Sequence, residues 1–151
     1  MKDIRLWYGH ATVEPSAPVV AGSHGTWRLT YIAGRYGIDN SGAIIICWRF
    51  AIDWGRPQTD DPKGENYLTA STDAEAKLKV TYTFKGYTRP WYHAVRVDVY
   101  DGEIRPGERI TLTFGDTRYG SIGQRAPTAV NKRCEWKVLV DPFCTRRFVP
   151  L

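Results

Sequence analysis

The chain has 151 residues, 42% of them hydrophobic and 25% charged, which is close to the average of folded proteins and excludes a fibrous repeat or a disordered chain. Its length suits a single domain, residues 1–151, with a core that needs no metal or disulfide support. The net charge of +5 comes from basic residues scattered singly along the chain, which argues against nucleic-acid binding.

The first half of the chain contains four predicted strands. Residues 26–33 alternate apolar and polar side chains, whereas 43–52 are almost continuously apolar, as in a central strand. The glycine-rich segment between these two strands predicts a hairpin. Residues 66–72 and 77–84 alternate again, and "DAEA" between them allows at most one helical turn.

The second half continues the same pattern. Alternation over 93–102 places Val95, Val97 and Val99 on one face. Strands are also predicted at 109–115 and 134–140, with a final edge strand at 146–151. Seven to nine short strands joined by glycine and proline turns predict an all-β antiparallel β-sandwich of immunoglobulin-like or jelly-roll type.

Cellular location and redox state are predicted from what the sequence lacks. No apolar run approaches the roughly 18 residues of a membrane span, and the start resembles no signal peptide. We therefore expect a cytoplasmic protein that does not contact a membrane. Cys47, Cys134 and Cys144 show no ligand spacing and are expected to be buried thiols, although a bridge between Cys134 and Cys144 stays open if the chain is exported.

Known catalytic motifs are not found in the sequence. His10, His24 and His93 are isolated, no G-x-S-x-G elbow is present, and the glycine-rich segment 115–125 lacks the lysine of a phosphate-binding loop. We predict no catalytic residue, no metal ligand and no cofactor.

The stretch "FAIDWGRPQTDDP", residues 50–62, holds three carboxylates, which could bind calcium or serve as acid and base. Its spacing does not match a calcium loop. We expect instead a structural clasp in which Asp53 and Asp60 accept hydrogen bonds from backbone amides and from Arg49 or Arg56.

Binding is the functional alternative that the composition supports. Fourteen of the 21 basic residues are arginine, whose planar fork grips carboxylate or phosphate groups. Several of them lie near aspartates in the sequence, so we expect internal ion pairs before anionic ligands. Trp54, Trp91, Tyr92 and Tyr119 fall in or beside predicted loops, where their rings could stack on a ligand such as a sugar. The predicted binding residues are Trp54, Arg56, Asp60, Asp61, Arg89, Trp91, Asp116, Tyr119 and Arg125.

Four segments carry a family resemblance: "AGSHGTWRLTYIAGRYGIDNSGAI", "FAIDWGRPQTDDPKGENYLTAST", "GYTRPWYHAVRVDVYDGEIRPGERITLTFGDTRYGSIGQRAPT" and "CEWKVLVDPFCTRRFVPL". Together they resemble the N-terminal β-sandwich region of large bacterial proteins that carry a metal-dependent hydrolase domain of the polymerase-and-histidinol-phosphatase type further along the chain. Carbaryl hydrolase, a carbamate-cleaving esterase, is similar to that group. The metal ligands of the family lie in the later domain, so no catalytic residue carries over to these 151 residues.

The resemblance implies a non-catalytic accessory domain or small subunit that docks on a larger catalytic subunit or associates with itself. The segments "DWGRPQTDDP" and "GDTRYGSIGQR" would form part of the docking face. Two alternatives stay open at this point: a hydrolase, or its substrate-contacting small subunit, that uses the acidic and aromatic loops, and a carbohydrate-binding module.

Overall fold

A computed structural model describes residues 3–129 and 134–151. Within them the chain forms one short helix and eleven strands. These are α1 Ile4–Tyr8, β1 Gly9–Glu14, β2 His24–Gly25, β3 Trp27–Ala33, β4 Ala43–Trp48, β5 Leu68–Thr72, β6 Lys77–Phe84, β7 His93–Tyr100, β8 Arg109–Phe114, β9 Gln124–Arg125, β10 Lys137–Asp141 and β11 Val149–Pro150.

The strands build two antiparallel sheets that face each other. One sheet has the order β1-β3-β8-β5, the other β11-β10-β4-β7-β6, and β2 pairs with β9 in a small separate ladder. Eight strands are at least five residues long, and the predicted all-β antiparallel sandwich is confirmed. No helix among the described residues is long and apolar enough to cross a membrane.

The core lies between the two sheets and follows the predicted alternation. Val95, Val97 and Val99 are fully buried, and so are Leu29 and Leu112 on the opposite sheet. Each such side chain stabilises the fold by about 1.5–3 kcal/mol through loss of contact with water. Strand β4 is buried along its whole length, which explains its continuous apolar sequence.

The predicted hairpin between the first two long strands is wrong. Strand β3 pairs with β1 and β8, whereas β4 pairs with β10 and β7 in the other sheet. The connection crosses the edge of the sandwich and buries Ile38, whose backbone exchanges two hydrogen bonds of 2.8 Å with Ile104. Both strands had an apolar face to bury, and packing them face to face buries both faces.

The "DAEA" segment, which was expected to hold at most one helical turn, is not helical. The "DAEA" segment forms a bend that carries the chain from β5 to β6 in the other sheet. The helical turn lies instead at α1, where the Asp3 carboxylate accepts a 3.3 Å hydrogen bond from the Leu6 amide as an N-cap.

The cysteines differ in their environment. Cys47 is fully buried, as expected, but Cys134 and Cys144 are exposed and all three are free thiols. The prediction of three buried thiols is therefore wrong for two of them. Both lie in connecting segments that the sandwich core does not cover, before β10 and between β10 and β11.

Candidate functional site

Three segments meet at one end of the five-stranded sheet. Strand β4 ends at Trp48, which pairs with His93 at the start of β7, and His93 pairs in turn with Phe84 at the end of β6. The loop between β6 and β7 folds over this end, because the Phe50 amide donates a 3.0 Å hydrogen bond to the Pro90 carbonyl. The sheet register thus brings the segments after Trp48, after Phe84 and before His93 together.

Aromatic rings from these three segments form a partly exposed cluster. The ring centroids of Phe50 and Tyr92 lie 5.6 Å apart with a tilt of 35°, and Phe84 meets Tyr92 edge-on at 5.8 Å. Phe50 is 43% exposed and Phe84 is 39% exposed. The two exposed phenylalanines both contact Tyr92, so the three rings form one partly exposed apolar patch.

Cationic side chains lie over these rings. The Arg89 guanidinium is 5.8 Å from the Phe50 centroid, and that of Arg56 is 5.1 Å from the Phe84 centroid. Arg49 and Lys137 both lie over Trp91, at 5.6 and 5.2 Å. We call this set the arginine–aromatic surface; its members are Arg49, Phe50, Arg56, Phe84, Arg89, Trp91, Tyr92 and Lys137.

A buried aromatic layer supports the arginine–aromatic surface. His93 stacks on Trp48 at 5.4 Å with an interplanar angle of 12°, and its Nδ1 forms a 2.7 Å hydrogen bond with the Tyr82 hydroxyl. Burial lowers the pKa of His93, and the positive charge of Arg56 lowers it further, against a weak hydrogen bond to the Phe50 carbonyl. His93 is therefore neutral at pH 7 and serves as a structural support.

The predicted clasp at residues 50–62 exists, and the expected hydrogen bond from a backbone amide to the Asp53 carboxylate is confirmed. The Asp53 carboxylate accepts hydrogen bonds from the Thr128 amide at 2.9 Å and from the Thr128 hydroxyl at 2.5 Å. These bonds lower the pKa of Asp53. The Arg125 guanidinium donates to the Asp53 carbonyl at 2.9 Å. The start of the loop is thereby tied to the segment that follows β9.

Gln58 and Asn66 hold the rest of the loop. The Gln58 side-chain oxygen accepts from the amides of Asp60 and Asp61 at 2.9 and 2.8 Å, and its amide group donates to the Asp61 carbonyl. The Asn66 side-chain oxygen accepts from the Arg125 amide at 2.8 Å. A Cβ atom at Gly55 would lie 2.3 Å from this Asn66 oxygen, so the loop approaches Asn66 as closely as glycine permits.

The predicted arginine–carboxylate pairs of the clasp are wrong. Among the described residues, neither Arg49 nor Arg56 forms an ion pair, and both guanidinium groups lie over aromatic rings. Asp60 and Asp61 are exposed, and the Asp61 carboxylate accepts a hydrogen bond of 3.1 Å from the Lys63 amide. Water solvates an exposed carboxylate well, so an ion pair there gains little over hydration.

Three more predicted binding residues have structural roles. Trp54 is 7% exposed and packs edge-on against Trp27 at 4.9 Å, so its ring belongs to the core. Asp116 is buried, and its carboxylate accepts hydrogen bonds from Arg118 and from the Thr69 hydroxyl, which hold its pKa far below the usual range. Arg125 is the link to Asp53 described above.

Tyr119 is exposed, as a ligand-contacting residue should be, but it lies apart from the cluster in its ring contacts. Its neighbours are Tyr67, at 6.3 Å between centroids, and the Arg118 guanidinium, at 5.5 Å. Of the predicted binding residues, only Arg56, Arg89 and Trp91 therefore belong to the arginine–aromatic surface.

The predicted binding set missed Phe50 and Phe84, and placed Arg49 in the clasp. Phe84 lies two residues after Tyr82, in the same every-second-residue series as the inward-facing Leu78, Val80 and Tyr82. The sequence pattern therefore assigns it to the core. It is exposed at the last residue of β6, which is an edge strand of the five-stranded sheet. One signal was available: Phe84 is the last residue of a predicted strand, and Phe50 is the first residue of the stretch 50–62 in which the clasp was expected.

Metal binding and the presence of a groove are two further features that bear on function. Within residues 3–129 and 134–151, no group of three His, Cys, Asp or Glu side chains could hold a metal ion. A groove of about 470 Å³ lies beside the clasp, with mainly apolar walls that include Val13, Pro18, Val19, Trp54 and Trp136.

Comparison with known proteins adds two solved structures. No protein-family model and no curated protein matches the chain. The CBM3a-L domain of the cellulosome scaffoldin cipA from Clostridium thermocellum, with flanking linkers, is similar with a TM-score of 0.44 and 14% identity over 86% of this chain and 82% of that one. A family 3a carbohydrate-binding module from the same scaffolding protein gives a TM-score of 0.43 and 13% identity over 94% and 99%. Both similarities are too low for a ligand to be transferred to this chain.

Proposed function

We propose that this protein is a non-catalytic carbohydrate-binding module that holds a sugar chain on the arginine–aromatic surface. The observation that carries the proposal is the contact chain Arg89–Phe50–Tyr92–Phe84–Arg56, in which three touching rings are flanked by two cations. A sugar ring has an apolar face of C–H groups and a rim of hydroxyl groups. Aromatic rings suit the face, and guanidinium donors suit the rim.

The rigidity of the arginine–aromatic surface supports this function. Phe50 is held by its backbone bond to Pro90, and the Tyr92 amide also donates to the Pro90 carbonyl at 3.0 Å. Below them, His93 and Trp48 form a packed layer that fixes the ends of β4 and β7. A preorganised surface loses little conformational entropy when a ligand binds.

The chemistry of the arginine–aromatic surface favours binding over hydrolysis. Its members are arginine, lysine and aromatic residues, and the adjacent His93 has both ring nitrogens engaged, by Tyr82 and by the Phe50 carbonyl. Glycoside hydrolysis requires two carboxylates placed across a groove. None of the members of this set carries one.

Affinity gel electrophoresis against a panel of soluble polysaccharides tests the proposal. We expect at least one polymer to retard the protein, and Phe50→Ala and Phe84→Ala each to weaken binding about tenfold, because a buried ring contact contributes about 1–3 kcal/mol. Tyr100→Ala is the matched control: Tyr100 is 42% exposed and lies at the opposite end of β7. The proposal fails if no polysaccharide binds, or if Tyr100→Ala weakens binding as much as the other two.

The accessory module that docks on a larger hydrolase subunit is the second candidate, and the apolar groove favours it. Val19 is 46% exposed at the groove wall and Val20 beside it is 76% exposed. If the groove receives a partner, Val19→Asp should abolish co-purification with the product of a neighbouring hydrolase gene while leaving polysaccharide binding intact. The resemblance to hydrolases of the polymerase-and-histidinol-phosphatase type stays a prediction until such a partner is found.

A further inference from the structure

We infer that the sugar chain bound on the arginine–aromatic surface is acidic, with carboxylate or sulfate groups along its length. This inference rests on the proposed function and specifies its ligand class. It starts from the four cations of the set, Arg49, Arg56, Arg89 and Lys137, which are gathered at one end of the five-stranded sheet.

These cations differ in their partners from three arginines of the same chain, Arg96, Arg118 and Arg125. Arg96 donates to Asp98 at 2.9 Å, Arg118 to Asp116 at 2.6 Å and Arg125 to the Asp53 carbonyl at 2.9 Å. Among the described residues, the guanidinium groups of Arg49, Arg56 and Arg89 have aromatic partners and no acceptor. Contact with a ring restrains a guanidinium but uses none of its five N–H donors, which stay available to a ligand.

The ion pairs of the protein also favour an anionic ligand at this surface. The five ion pairs found within residues 3–129 and 134–151 include none of the four cations. Glu135 is the carboxylate nearest to them in sequence, two residues before Lys137, and it has an interaction of its own. Arg49 and Lys137 lie over the same ring, that of Trp91, and an anionic ligand relieves the repulsion between these two positive charges.

The order of the groups favours a polysaccharide over an acidic protein. Along the chain of contacts a cation is followed by three rings and then by a second cation. A uronic acid or sulfated sugar offers an apolar ring face and a charge on the same residue, and its polymer repeats the two at short spacing. The flexible carboxylates of an acidic peptide offer charge without a flat apolar face to cover Phe50 and Phe84.

The experiment compares polymers that share a backbone and differ in charge. Binding of the full chain to polygalacturonate and to its methyl ester is measured by isothermal titration calorimetry, with chondroitin sulfate as the sulfate probe and poly-glutamate as the peptide probe. We expect polygalacturonate or chondroitin sulfate to bind at least tenfold more tightly than the methyl ester and than poly-glutamate. Raising the salt concentration should weaken the binding of the acidic polymers.

Variants of the arginines test the contact itself. Arg56→Gln and Arg89→Gln should each weaken binding to the acidic polymer about tenfold, as expected for loss of a hydrogen bond between charged groups. Arg56→Lys keeps the charge but not the fork, so we expect an intermediate loss. Arg28→Gln is the matched control, because Arg28 is exposed on β3 of the other sheet and its loss changes the net charge equally.

The outcomes separate this inference from the proposed function. If the methyl ester binds as tightly as the acid and Phe84→Ala still weakens binding, the carbohydrate-binding module stands and the acidic ligand is refuted. If poly-glutamate binds as well as the acidic polysaccharides, the set is a general acceptor of anions and the inference is overturned. Equal losses in Arg28→Gln and Arg56→Gln would also overturn it, since binding would then follow net charge. If no polysaccharide binds, both proposals fail.

Discussion

Asn66 is the residue whose replacement most directly tests how the 50–62 loop is held. Its side-chain oxygen accepts the Arg125 amide at 2.8 Å, and its backbone joins Gln58 and Gly123 through hydrogen bonds of 3.0 Å each. Its φ of 64° lies in the left-handed region, which asparagine tolerates and alanine disfavours. Asn66→Ala therefore removes a hydrogen bond and introduces backbone strain at the same position.

The expected loss of stability combines these two effects. Leaving a partly buried amide without its acceptor costs about 1–2 kcal/mol, and placing alanine in the left-handed region costs about 1 kcal/mol. The sum is about 2–3 kcal/mol. For a domain of this size each kcal/mol lowers the melting temperature by about 2–4 °C, so Asn66→Ala should melt about 4–12 °C below the parent.

Two further variants separate the two contributions in thermal and urea denaturation. Asn66→Gly loses the side-chain bond but relieves the strain, and should be about 1 kcal/mol more stable than Asn66→Ala. Asn66→Asp keeps an acceptor for the Arg125 amide and should lie closer to the parent. Arg56→Ala and Asp60→Ala serve as controls within the same loop; both side chains are exposed, so each change should stay within about 0.5 kcal/mol.

Two results would refute this account of the loop. If Asn66→Gly is no more stable than Asn66→Ala, backbone strain at this position is not what alanine introduces. If Asp60→Ala destabilises the protein as much as Asn66→Ala does, the Asp60 carboxylate also holds the loop, as the sequence alone suggested.

Three other predictions concern titration and reactivity. The lowered pKa of His93 means that the unfolded state binds its proton more readily, so we expect the contribution of His93 to stability to be fully present above about pH 7 and to be lost as the pH drops below the ordinary value near 6.5; urea melts at several pH values should show this fall, and His93→Gln should reduce it. Asp116→Ala leaves the partly buried Thr69 hydroxyl without its acceptor and should lower the free energy of unfolding by about 1–3 kcal/mol in urea denaturation. An unfolding curve like that of the parent would show that the hydrogen bonds of Arg118 and Thr69 to this carboxylate do not stabilise the fold. In a thiol titration of the native protein, Cys134 and Cys144 should react, while Cys47, whose pKa burial raises to about 12, should react only after unfolding. A single reactive thiol in the native protein would contradict the exposure of Cys134 or of Cys144.

Alternation of apolar and polar residues was sufficient to predict the fold class and the faces of the long strands. It placed Val95, Val97 and Val99 in the core because a strand with one buried face must repeat every second residue. It could not assign strands to sheets. The strands β3 and β4 look like the arms of a hairpin in sequence, and only the packing of two apolar faces against each other places them in opposite sheets.

The candidate site was less predictable, because side-chain exposure at a strand end depends on where the opposite sheet stops. Arg56, Arg89 and Trp91 could be selected from their loops, and Trp54 was selected by the same reasoning although the core buries it. The sequence also did not determine which side chain each arginine contacts. Arg56 is three residues from Asp53 and four from Asp60, yet it lies over Phe84 from a distant strand. Sequence proximity brings charges within reach of each other, but the tertiary structure decides which side chain occupies the space, because an exposed ion pair contributes too little energy to direct a loop.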